Sequence, residues 1–165
     1  MSSLVTRPAQ PADVPGLARV HVESWRETYR GLFPDAVLDD PEAVGRREQF
    51  WTAALTDERY SQNTAATATL DGRIVGVAMA GSALDADATW ESQLYVLYTS
   101  ASVHGQGAGS DLLNAVIDPR ATAALWVADP NPRAQAFYRK HGFDADGRSR
   151  VDDGVRAIRM TRPPR

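Results

Sequence analysis

Three of the five residues from Gly105 to Gly109 are glycine, and they follow the strand-like run "ESQLYVLYT" and precede the apolar-patterned "LLNAVI". Glycine loses more conformational freedom on ordering than any other residue, so such a cluster needs unusual torsions or a ligand that touches the main chain. A strand, a bare turn and a helix start together aim several backbone N–H groups and the positive end of a helix dipole at one point, which is a phosphate site. A P-loop spelling needs a lysine directly after its last glycine, but the only lysine is Lys140. A Rossmann turn needs a third glycine at position 110, where Ser110 stands, and it belongs beside the first strand. The spelling that remains is His104-Gly105-Gln106-Gly107-Ala108-Gly109.

Around that turn the chain reads as one domain spanning residues 1–165, long enough to bury a real core. Hydrophobic residues at 43% and charged residues at 24% are ordinary for a globular protein. A net charge of −3 provides no basic field for a nucleic-acid backbone. The absence of cysteine excludes disulfides, thiolate metal sites and a covalent cysteine intermediate. The N-terminus lacks the apolar core of a secretory signal, and no stretch approaches a membrane span, which predicts a cytoplasmic location.

The pattern along the chain alternates strands and helices in a single α/β or α+β unit. "SLVTRPA" predicts a first strand. Asp13 is placed to cap a helix carrying Val14, Leu17, Ala18, His21, Trp25 and Thr28 on one side, with Gly31 at its end. "GLFPDAVLDDP" predicts a loop, and Pro41 to Leu55 a second helix with Val44, Phe50, Trp51 and Leu55 inward. Asp71-Gly72 signals a tight hairpin between two strands. Gly109 to Ile117 predicts a helix and "AALWVA" a buried strand. In "NPRAQAFYRKHGF" Asn131 suits a helix cap, Pro132 the first turn and Gly142 the stop, before a closing strand pair in "DADGRSR" and "VRAIRMT".

The segments "LYVLYTSASVHGQGAG", "LWVADPNPRAQAFYRKHGF" and "ADVPGLARVHVESWRETYRGLFP" resemble, in order, the fourth strand and third helix start, the fifth strand and fourth helix, and the first-helix region of the GCN5-related N-acetyltransferases. The resemblance covers almost the whole chain and implies a mixed central sheet of about six to seven strands with about four helices. It implies acetyl-CoA as acyl donor, no metal, and a primary amine as acceptor, with a homodimer as the expected assembly. The coenzyme arm would lie on the backbone of Leu97, Tyr98 and Thr99, where two central strands splay. The pyrophosphate would rest on Gly105, Gln106, Gly107, Ala108, Gly109 and Ser110. His104 departs from the Gln or Arg usual at its motif position, so a side-chain contact there is in question while the backbone cradle stands.

By the same resemblance Asn131 contacts the coenzyme and Tyr138 protonates the departing thiolate, a role a phenol can fill. The attacking amine must be neutral, yet an ammonium with a pKa near 10 is only about 0.1% deprotonated at pH 7, so a base is needed. No motif assigns it; Glu91 is the first candidate, with Glu23 and Glu27 on the first helix behind it. Trp25 and Tyr29, four residues apart, are candidates for the acceptor wall. Without a thiol to carry the acetyl group, direct transfer in a ternary complex is the expected mechanism. The alternative is a sensor of the same fold that binds acyl-CoA without turnover. Antibiotic, polyamine, amino acid and protein N-terminus all stay open as acceptors.

Overall fold

The computed structural model describes residues 3–164. In chain order it comprises β1 (Leu4–Pro8), α1 (Val14–Tyr29), α2 (Asp35–Leu38), α3 (Ala43–Thr56), β2 (Thr64–Leu70), β3 (Arg73–Ser82), β4 (Ser92–Thr99), α4 (Ala108–Val116), β5 (Ala123–Ala128), α5 (Pro132–Lys140), β6 (Asp144–Asp152) and β7 (Val155–Arg162). Single 3-10 turns precede α1, follow α3 and follow β4. The strands form one seven-stranded sheet in the order β1-β2-β3-β4-β5-β7-β6, antiparallel except between β4 and β5. Among the described residues no helix is long and apolar enough to cross a membrane.

The sheet separates two cores because side chains alternate along each strand. Val77 and Met79 of β3 meet Leu17, Ala18 and Val20 of α1 and Trp51 of α3 on one face. Ala78 and Ala80 meet the opposite core, which holds Leu112 and Leu113 of α4 and Tyr138 of α5. Both leucines of α4 are fully buried, each contributing about 1.5–3 kcal/mol. Asp71 and Gly72 take positive φ, 51° and 84°, as the tight hairpin requires.

Several expectations are corrected. Asp13 does not cap α1 with its side chain; its carboxylate instead accepts from both terminal nitrogens of Arg7, at 2.8 and 2.9 Å, and from the Gln10 N–H at 2.8 Å. A charge-assisted fork outweighs one neutral cap bond. The segment expected as loop contains the one-turn α2, so there are five helices among the described residues rather than about four. Phe50 stays 36% exposed while Trp51 is fully buried, because the inward stripe of α3 runs through Ala43 and Trp51.

A buried cation ties the far edge of the sheet to its middle. Arg159 of β7 donates to both oxygens of Asp87 at 2.8 Å each, to Asp146 at 2.6 Å and to Asp85 at 3.2 Å. Its guanidinium lies over Trp90 and Trp126, 4.8 and 5.7 Å from the ring centroids. Asp85 and Asp87 belong to the β3–β4 connection and Asp146 to β6, so one side chain joins both halves of the sheet.

Candidate active site

The β4–β5 seam is closed only at its beginning. Ser92 and Gln93 pair with Ala123 and Ala124, and no ladder follows. Opposite β3, Met79 faces Val96 and Ala80 faces Leu94, leaving Tyr95 as an extra residue. Such a bulge bends its strand, and here it coincides with the point where β4 leaves β5. The opening is a cleft of about 400 Å³. Leu97, Tyr98 and Thr99 line one wall and Leu125, Trp126 and Val127 the other, with backbone groups on both that the missing ladder leaves over.

The glycine turn borders this cleft. Gly105 and Gly107 hold φ of 80° and 89°, and a Cβ at either would meet no protein atom within 4 Å. Both glycines are exposed, so the turn's backbone is open to a ligand there. The first rung of the α4 ladder is the Asp111 N–H to the Gly107 carbonyl at 3.0 Å. The N–H groups of Gly107, Ala108, Gly109 and Ser110 consequently have no helical acceptor, and the helix dipole adds positive potential at the same place. These features fit a pyrophosphate.

Tyr138 reaches the cleft from α5, with its ring against Phe137 and Phe143. Burial pushes its phenol well above the ordinary tyrosine range, and the neighbouring Tyr98 phenol adds to the shift. Tyr138 therefore keeps its proton at neutral pH. Burial likewise pushes Tyr98 up to about 12, with Tyr29 contributing. Asn131 lines the cleft while its Oδ1 accepts the Ala134 N–H at 3.3 Å, so it caps α5.

The other candidates divide. Tyr29 lines the cleft and stacks on Phe33, with centroids 5.1 Å apart, whereas Trp25 packs on Phe33 outside it. Gln106 turns away, its side chain donating to the Ser102 carbonyl at 3.1 Å. Glu91 is exposed at the closed end of the seam, where its N–H donates to Thr122 Oγ1 at 2.8 Å, and it does not line the cleft. Glu23 pairs loosely with Arg19, at 3.8 Å. Among the described residues that line the cleft, Glu27 is the only carboxylate.

Arg133, Phe137 and Lys140 also line the cleft and were not among the site candidates read from the sequence. Their spacing of four and three residues places them on one face of α5, a pattern legible once that face is known to meet the turn.

The sequence profile of the acetyltransferase (GNAT) domain matches residues 37–163. A Mycobacterium tuberculosis protein named as an N-acetyltransferase is 30% identical over 156 residues, covering 90% of this chain and 84% of the relative. Among solved structures, an acetyltransferase from Corynebacterium glutamicum described as related to histone acetyltransferase HPA2 superposes with a TM-score of 0.72 at 25% identity, covering 99% of this chain and 97% of that one. The PaiA N-acetyltransferase of Thermoplasma acidophilum, solved with coenzyme A, superposes with a TM-score of 0.71 at 18% identity, over 95% of this chain and 98% of that one. An open seam beside a phosphate-shaped turn, on a chain with these relatives, makes this protein a member of the GNAT acetyltransferase family.

Proposed function

We propose that the protein transfers the acetyl group of acetyl-CoA to a primary amine by direct attack in a ternary complex. The observation that carries this reading is the open β4–β5 seam, with the glycine turn bordering it and the protonated Tyr138 lining it. Acetyl-CoA, when bound, supplies an activated thioester with a sulfur leaving group. The chain's part is to position, polarise and move protons.

Leu97, Tyr98 and Thr99 offer backbone groups at strand spacing, which suits an extended amide-bearing arm added as a strand. The N–H groups from Gly107 to Ser110 hold the pyrophosphate. A backbone N–H of β4 polarises the thioester carbonyl, and Tyr138 donates its proton to the leaving sulfur. Glu27 takes the proton that the attacking ammonium must lose, directly or through one water, and the second proton, shed by the nitrogen as the amide forms, passes through solvent to restore the Tyr138 phenol.

The test is release of free CoA thiol from acetyl-CoA across a panel of amines, with Tyr138→Phe alongside. The chain has no cysteine, so a thiol reagent reads CoA alone. The expected result is amine-dependent release that falls about 10- to 1000-fold in Tyr138→Phe while CoA affinity stays within about twofold. Release that ignores the substitution would remove Tyr138 from the mechanism. CoA binding with no release across a wide panel would support the sensor instead.

A further inference from the structure

Arg133 lines the cleft without a carboxylate partner. On the β6–β7 hairpin the nearby arginines are neutralised, Arg156 by Asp129, Arg150 by Asp152 and Arg159 by three aspartates, whereas among the described residues the α5 cations Arg139 and Lys140, in the last turn where the dipole favours them, take part in no ion pair either. Arg133 instead donates from Nη1 to Nδ1 of His104, a neutral acceptor, and among the described residues it takes part in no ion pair. It is also the second residue of α5, at the end of the helix where the dipole disfavours a cation. Neither the fold nor its own helix accounts for that charge.

His104 accounts for its direction. The other ring nitrogen, Nε2, lies 3.2 Å from the carbonyl oxygen of Thr99. A carbonyl only accepts, so Nε2 carries the proton and Nδ1 presents a lone pair to Arg133. Both ring nitrogens are then engaged, leaving the imidazole nothing to offer a ligand. The guanidinium keeps its full charge and its remaining N–H groups, beside Gly105 and Gly107 in the same cleft. His104 thus links the end of β4 to the start of α5 and holds a cation at the turn.

We propose that Arg133, oriented by His104, binds a phosphate of the coenzyme, so that the position where this sequence departs from the family spelling acts through a second residue rather than through its own side chain. The proposal rests on the coenzyme reading above. Arg133 is the binding residue and His104 the positioning residue.

The test is calorimetric titration of the full-length protein with CoA and with dephospho-CoA, for wild type, R133Q, H104L, H104Q and the R133Q/H104L double variant. The Arg133–His104 bond is at the surface, so R133Q should keep the wild-type melting temperature, whereas H104L also loses the part-buried bond to the Thr99 carbonyl and its folding is checked by melting temperature against H104Q, which retains that bond. Losing a charge-assisted bond to phosphate is expected to weaken CoA binding about tenfold in R133Q, and to flatten its dependence on salt. H104L should weaken binding about threefold, and add nothing once R133Q is present. H104Q should bind like wild type, because its amide can donate to the Thr99 carbonyl while its oxygen accepts from Arg133. If the R133Q deficit disappears with dephospho-CoA, the contact is the 3′-phosphate; if it persists, it is the pyrophosphate. Wild-type affinity in R133Q, or full additivity of H104L on R133Q, would overturn the proposal. Failure of wild type to bind CoA at all would overturn the coenzyme reading beneath it.

Discussion

Glu27 and Glu91 carry the same chemistry and differ only in where the chain puts them. Glu27 lines the cleft from α1, while Glu91 precedes β4 at the closed end of the seam. E27Q is therefore expected to lower turnover about 10²- to 10⁴-fold at neutral pH, with recovery toward alkaline pH as the amine loses its own proton. E91Q should match wild type; a comparable loss there would return the base to Glu91. His21 makes a different prediction at this scale. Its Nδ1 accepts the Trp51 indole N–H at 3.1 Å, its ring lies 5.0 Å from that of Tyr98, and burial pulls its pKa down to about 3. The unfolded chain, with an ordinary histidine near 6.5, binds the proton first, so His21 costs the folded state stability as pH falls from about 6.5 toward 3. The slope approaches about 1.4 kcal/mol per pH unit. Denaturant unfolding of H21Q should show a flatter decline between pH 6.5 and 4.5; parallel curves would place the titration elsewhere.

Elements whose signals are local were legible in the sequence. The Asp71-Gly72 hairpin, the capped α5 and the turn before α4 each declare themselves within a few residues. What depends on distant partners was not. Asp13 looks like a cap until Arg7 is brought beside it, and Phe50 looks buried until it is known that α3 turns its Ala43–Trp51 face inward. Glu91 is the first candidate base in the sequence, and only the position of the closed end of the seam shows that it does not line the cleft. The glycine turn gives the sharpest test at this scale. In Gly107→Val the added Cβ meets no protein atom within 4 Å, and the folded-state cost is chiefly the positive φ imposed on a β-branched residue, about 1–3 kcal/mol. The side chain fills the space left for phosphate, and affinity for CoA should fall about 100-fold, the loss of two charge-assisted bonds. Calorimetry on a variant shown to be folded by circular dichroism checks both halves; normal affinity would remove the cradle.

For the whole molecule, the strand order matters more than any one element. The hairpin β6–β7 returns so that β7 lies between β5 and β6, which no local signal could announce. Across the middle, β1 to β4 and β5 to β6 form two half-sheets joined by two ladder pairs, by the N–H of Ser92 on the Thr122 carbonyl at 3.1 Å, and by the Arg159 hub. All of these lie toward the closed end. Amide hydrogen exchange should therefore be faster at Leu97–Thr99 than at Val77–Met79 on the fully paired neighbouring strand, and should slow there when CoA is added. Unchanged exchange on saturation would mean that the coenzyme does not bridge the halves. A ligand seated in the opening replaces a missing piece of the protein's own framework, and at 100 times its dissociation constant it adds about 2.7 kcal/mol to stability. Where proteolysis follows the opened population, that corresponds to a roughly hundredfold change in cleavage rate, measurable as protease half-life with and without CoA. The unfinished seam is thus expected to make the survival time of each enzyme molecule a readout of coenzyme supply: a cell short of coenzyme would lose this catalyst as well as its substrate.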